Sequence, residues 1–117
     1  MKKSEVEKIK KTLVYELEVI DKNVIDLKKN DPFNDPDHSS NNAAVDNDVR
    51  EQEAHQRIEA EIDSLLERKE NINQAISRIS KGRYGYCQRC STEILKKRLD
   101  LIPETNYCVS CESELKK

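Results

Sequence analysis

The sequence has no Trp, one Phe and four Tyr among 117 residues, and hydrophobic residues make up 35% of it. An ordinary globular chain holds roughly 45–50% apolar residues, so a broad core is excluded. Long apolar runs are missing too. Nothing approaches the ~18 apolar residues in a row that mark a membrane span, and Met1-Lys2-Lys3 leads into charged residues with no signal-peptide core. The cytosol is the expected compartment, with no membrane association. The two Gly form no phosphate loop. Nor is there an excess of positive charge. The net charge is −2, which argues against a general nucleic-acid binder and its basic footprint. What the chain does have is charge of both signs, 38% of its residues. A thin helical fold, which buries one narrow stripe and leaves the rest in water, has this composition.

The acidity is local. Residues 31–57 hold seven acidic and two basic side chains, together with Pro32, Pro36 and a run of Ser and Asn. Pro lacks a backbone donor and Asn, Asp and Ser favour turns, so this stretch reads as a connector.

On either side of it the apolar residues fall in helical stripes. Val6, Ile9, Leu13, Leu17, Ile20, Val24 and Leu27 recur at three- and four-residue steps, with a stutter at Leu13 and Leu17. Ser4 and Glu7 have the spacing of a capping box at its start. Ile58, Ile62, Leu65, Lys69, Ile72, Ile76 and Ile79 form a heptad seam interrupted only by Lys69, and Gly82 is placed to stop the helix. Both stripes cover the same number of positions, so the spacing predicts a long antiparallel coiled-coil hairpin rather than an intermolecular pair. Val45 to Arg57 contains no helix breaker, which extends the second helix back to about residue 46. That leaves an acidic tip at about residues 30–48, with Asp46 and Asp48 as its candidate functional residues.

The C-terminal segment reads Cys87-x2-Cys90-x17-Cys108-x2-Cys111. Two such knuckles bring four thiolates to one tetrahedral centre, and four sulfurs leave no position open for a reacting water. The expected cofactor is therefore a single structural Zn2+. Two disulfides do not suit a cytosolic chain. The segment has few large apolar residues, so metal binding supplies much of its folding free energy. Tyr84, Tyr86, Ile94, Leu99, Leu101 and Ile102 are expected to pack around the knuckles. Arg83, Arg89, Lys96, Lys97 and Arg98 form a basic cluster suited to an acidic partner surface or a phosphate. The expected division is thus residues 1–81 for the hairpin and 82–117 for the finger with a short C-terminal helix, all-α throughout.

These residues resemble the DksA/TraR family of bacterial RNA polymerase-binding regulators. The likeness is carried by Gly82-x-Tyr84-Gly85-x-Cys87-x-x-Cys90, then Ile94, Arg98-Leu99, Pro103 and Cys108-x-x-Cys111, preceded by Ala75, Ile76 and Ile79. It spans about residues 45–117. The resemblance implies a monomeric transcription regulator that reads no promoter sequence. Its coiled coil would enter the secondary channel of RNA polymerase and place the acidic tip near the active site. Its finger would rest on the channel rim through Arg83, Arg89, Lys96, Lys97 and Arg98.

The chain departs from the family in three places. The tip stretch from Asn41 to Val49 does not match the family's Asp-x-x-Asp-x-Ala in register, and Ser91 stands where Gly is usual. Where members responsive to guanosine tetraphosphate have basic residues, this chain has Asn71, Ile102 and Glu112. None is a cation, so binding of that alarmone there is not expected. Other functions compatible with the sequence are a zinc-stapled coiled-coil adaptor and a zinc-ribbon nucleic-acid binder. An enzyme is not expected: His38 and His55 have no nucleophile near them in the chain, and His55 falls on the seam, where packing or capping is its ordinary role.

Overall fold

Two amphipathic stripes of alternating three- and four-residue steps can each be buried only by helices lying side by side, and this is how the chain folds. The computed structural model describes residues 2–34 and 45–116, with no side-chain description for Asn34 or for Val45, Asp46 and Asn47. Helix α1 spans Lys3–Lys29, a single 3-10 turn spans Pro32–Asn34, and α2 spans Val45–Ser80. Two short helices follow, α3 (Lys96–Leu101) and α4 (Val109–Leu115). There is no β-strand among the described residues, only an isolated antiparallel bridge between Tyr86 and Glu93. The fold is all-α, an antiparallel hairpin of two long helices with a C-terminal finger. No helix among the described residues is long and apolar enough to cross a membrane.

Packing divides the chain into two compact units, Met1–Leu17 with Arg68–Lys117, and Glu18–Glu67. The stutter at Leu13 and Leu17 and the polar interruption at Lys69 fall at these two divisions of the chain. The first unit joins the start of α1 and the end of α2 to the finger. Leu13, Ile72 and Ala75 are fully buried there, with Leu99 and Ile94 nearly so. Arg68 links the three parts, with Nη1 3.4 Å from Glu16 on α1 and Nε 3.1 Å from Glu104 in the finger. The expected boundary at residue 81/82 thus lies inside this unit.

The second unit pairs the later part of α1 with the earlier part of α2, and Ile20 and Val24 are its buried apolar residues among those described. Asp31, just beyond α1, closes it. Its Oδ1 accepts the Phe33 amide at 3.0 Å, and its Oδ2 lies 2.6 Å from His55 Nδ1. The Phe33 ring stacks on His55 with centroids 4.0 Å apart, and His55 Nε2 lies 2.9 Å from Glu59. Burial works against the Asp31 carboxylate, but the Phe33 amide and His55 outweigh it and hold its pKa below the ordinary value. His55 is therefore a packed, hydrogen-bonded joint.

Every stripe position lies on a buried or half-buried face, including Lys69. The end of α2 follows the sequence expectation as well. Gly82, at φ +71°, bonds through its amide to Ile79 O at 3.1 Å, while the Arg83 amide reaches Arg78 O at 2.8 Å. This is the paired-bond stop that a left-handed residue allows.

Two expectations are corrected. Ser4 is not the cap of α1, because Lys2 O accepts the first amides, from Glu5 and Val6, and Ser4 lies within the first turn. Of the six residues expected around the knuckles, Tyr86, Leu101 and Ile102 are exposed. Leu99 and Leu101 share α3 two positions apart, so they point to nearly opposite sides and only one can face the core. Between Tyr84 and Tyr86, Gly85 at φ +93° breaks the extended alternation that would put both rings on one face.

Candidate metal centre

The two knuckles are built differently. The first is a tight turn: Cys87 donates its amide to Thr92 O at 2.7 Å, Ser91 to Cys87 O at 2.9 Å and Ile94 to Gly85 O at 2.8 Å. The second is the start of α4, where Cys108 is the N-cap and its Sγ accepts the Cys111 amide at 3.5 Å. The equivalent bond in the first knuckle runs from the Cys90 amide to Cys87 Sγ, also 3.5 Å. The Gln88 amide bonds to Asn106 O at 2.7 Å and ties one knuckle to the other.

All four sulfurs lie within 4.8 Å of one another. Four thiolates at about 2.3 Å from a tetrahedral Zn2+ would stand about 3.8 Å apart, and Cys90 Sγ and Cys108 Sγ are 3.7 Å apart. The donor set therefore fits one zinc ion, with Cys87, Cys90, Cys108 and Cys111 as its ligands. The electrostatics of the site also suit such an ion. Burial opposes the Cys87 thiolate, yet the amides of Cys108, Cys90 and Arg89 bring its pKa down to about 6. Cys111 is pushed up to about 12 by burial and by the sulfurs of Cys108, Cys90 and Cys87. Four sulfurs so close cannot all ionise unless a cation sits between them. A bound zinc would cross-link the two knuckles and add to the Gln88–Asn106 bond between them.

Arg78, near the end of α2, is a residue that the sequence reasoning missed. Its guanidinium donates to the carbonyls of Asn106 (3.2 Å) and Arg83 (3.3 Å), and also to that of Tyr86. Tyr86 and Asn106 lie just before the two knuckles, so one side chain sets both against the helix. Asn106, itself buried, returns the contact with its side-chain amide 3.4 Å from Asn71 O and from Gln74 Oε1. A basic residue one turn before a helix stop carries no signal of this role, because its partners are carbonyls that any sequence would supply.

Ser91 is the single non-glycine residue with positive φ among the described residues, at φ +63°. A side chain in that conformation costs about 1–2 kcal/mol, partly offset because Gly loses more entropy on folding. Ser91→Gly is expected to stabilise the finger by about 0.5–1 kcal/mol, measured as greater resistance of the zinc-loaded chain to denaturant.

Tyr84 anchors the middle of the finger. It is buried and donates its hydroxyl to Pro103 O at 2.9 Å. Burial, and then the nearby carboxylates of Glu104 and Asp100, push its pKa up to about 12 against the opposing charge of Arg78. A raised phenol pKa stabilises the fold below the ordinary value of about 10, and that stability is lost as pH rises toward 12. An absorbance titration should show a tyrosine step near pH 12 that Tyr84→Phe removes.

The other sequence-derived positions are dispersed. In the basic cluster, Arg89 Nη1 pairs with Glu114 at 2.7 Å and Lys96 Nζ with Glu5 at 3.4 Å, while Arg98 pairs with Glu112. Arg83 and Lys97 are exposed. Asp48 is exposed on the first turns of α2. Asp46 is helical, but its side chain, His38 and tip residues 35–44 lie outside the described residues. Of the alarmone positions, Asn71 is half-buried, Ile102 is exposed, and the Glu112 carboxylate holds both Arg98 and Lys116.

Residues 82–117 match the family model described as prokaryotic dksA/traR C4-type zinc finger. An uncharacterized protein of Aquifex aeolicus (strain VF5) is 46% identical over 46 residues, which are 39% of this chain and 32% of that protein. The match therefore spans about a third of the relative's length. The solved structure of transcription factor DksA2 from Pseudomonas aeruginosa superposes with a TM-score of 0.79 at 17% identity, covering 99% of this chain and 86% of that one. That likeness shows a shared fold. Residues 82–117 are thus a dksA/traR C4-type zinc finger, carried on a helical hairpin that shares the fold of the DksA2 structure.

Proposed function

We propose that this chain is a cytoplasmic, monomeric transcription regulator that binds bacterial RNA polymerase directly and reads no DNA sequence. The observation that carries this reading is the match of residues 82–117 to the dksA/traR finger, on a chain that has the fold of a transcription factor. In this proposal residues 1–81 form the inserting hairpin and 82–117 the docking finger. Asp46 and Asp48, on the first turn of α2, are the acids delivered into the secondary channel. A negatively charged end would be steered toward the basic channel and its catalytic metal over about a Debye length. Of the cluster considered for the channel rim, Arg89, Lys96 and Arg98 already hold carboxylates, which leaves Arg83 and Lys97 as the cations available for contact. The same pairing weighs against a nucleic-acid binder. Alarmone binding at Asn71, Ile102 and Glu112 is not part of the proposal, because Glu112 adds negative charge where phosphates would need cations.

The test is association of the zinc-loaded chain with core polymerase in competition with a transcript-cleavage factor, which enters through the same pore. Displacement of that factor is expected. The Asp46→Asn, Asp48→Asn double variant should lose activity in a transcription assay by about tenfold or more. Binding to polymerase without any competition would move the contact elsewhere, and no association by the folded, zinc-loaded chain would end the proposal in favour of an adaptor on another protein.

A further inference from the structure

Only part of the basic cluster is engaged by carboxylates in the folded chain. With Arg89, Lys96 and Arg98 each facing a carboxylate, Arg83 of that cluster stands beside two further cations at the end of α2. Arg78, Lys81 and Arg83 line a surface pocket of about 490 Å³, together with Tyr86, Gln88 and Ser91. No carboxylate is in its wall. Its volume falls in the range of about 300–1,000 Å³ typical of small-ligand sites.

The metal centre has to be counted in this charge balance. Cys87 also lines the pocket, and a zinc tetrathiolate is formally anionic. Arg78 offsets part of that charge. It is only partly exposed, it is spent on the carbonyls of Tyr86, Arg83 and Asn106, and it faces Cys87. Lys81 and Arg83 are exposed and make no side-chain ion pair among the described residues. The side-chain amide of Gln88, as distinct from its backbone amide engaged by Asn106, and the Ser91 hydroxyl add neutral donors, and the half-exposed Tyr86 ring supplies an apolar wall. Two cations, an amide and a hydroxyl around one concavity make the donor set that recognises phosphate, with the Arg fork able to grip two oxygens at once.

We propose that this pocket binds the phosphate group of a small phosphorylated molecule through Arg83 and Lys81. The site is separate from Asn71, Ile102 and Glu112, none of which lines it, and it does not depend on the polymerase reading. Inorganic phosphate and a nucleotide offer the same group, and the measurement tells them apart.

The zinc-loaded full chain would be titrated with inorganic phosphate, adenosine diphosphate and adenosine, following backbone amide resonances with zinc content monitored. Both phosphate compounds are expected to saturate with Kd below about 1 mM at low salt, shifting the amides of Lys81, Arg83, Gln88 and Ser91. Tighter binding of the diphosphate than of inorganic phosphate would assign the site to nucleotides, and equal binding to phosphate alone. Arg83→Gln combined with Lys81→Gln should weaken binding about tenfold or more, whereas Lys97→Gln, outside the pocket, should leave it unchanged. The proposal is overturned by adenosine binding as well as its diphosphate, by equal loss in the Lys97 variant, or by no saturable binding in this range.

Discussion

Removal of the zinc should unfold residues 82–117 while the two long helices keep most of their helicity. The buried apolar residues of that segment are Tyr84, Ile94 and Leu99, with Cys87 and Cys111 beside them. Its helices α3 and α4 have six and seven residues, too short to persist in water unaided. Structural zinc sites of this kind contribute an apparent ~10–16 kcal/mol at neutral pH, far more than this core can replace. Cys108→Ser is the sharpest version of the experiment, because it removes both a metal ligand and the N-cap of α4. The expected result is loss of bound zinc, rapid proteolysis after residue 82 and collapse of amide dispersion for the finger, with a small fall in far-UV helicity. A finger that keeps its dispersed amide spectrum after metal removal would show that side-chain packing holds it. Because thiols must lose protons to bind the metal, the same unfolding should follow acidification and reverse on neutralisation with zinc present.

Ile72→Ala should be the costliest single change outside the metal site, at about 3 kcal/mol within the range of 2–5 seen for such truncations. Ile72 has no exposed surface, and neither has Ala75 in the next turn or Leu13 on α1. Asn106 of the finger bonds to Asn71 and Gln74 on either side of it. This part of α2 is covered by α1 and by the finger at once, so a cavity there has no route to collapse. Leu66→Ala, at a position 46% exposed, is the matched control and should cost less than about 0.5 kcal/mol. Denaturant midpoints of the zinc-loaded variants measure both. Equal midpoints for the two would mean that the packing around Ile72 is looser than its burial implies.

The heptad positions were legible because helical periodicity is a property of the chain itself. Residues three and four apart share a face in any helix, and every stripe residue from Val6 to Leu27 and from Ile58 to Ile79 is turned inward or half-inward. Gly82 and the four cysteines were legible for a similar reason, since a left-handed stop and a tetrahedral thiolate site demand particular residues at particular spacings. Ser91 was legible as an oddity, and the structure gives it a measure in a φ of +63°. The seam irregularities at Leu17 and Lys69 could also be seen, but nothing in their spacing said that packing divides beside them.

Pairings between distant residues followed a different logic. Lys96 meets Glu5 across 91 positions, and Arg78 reaches Asn106 across 28. A run of basic residues looks like one surface in the sequence, yet three of its five members are paired with carboxylates once the chain is folded. Periodicity and ligand spacing are short-range and survive being read one letter at a time, so they alone specified the hairpin and the metal. Which charges stay free, which tyrosine is buried and which arginine braces both knuckles depend on what the fold brings within a few ångströms, where Coulomb attraction and desolvation act, and those outcomes exist only in three dimensions.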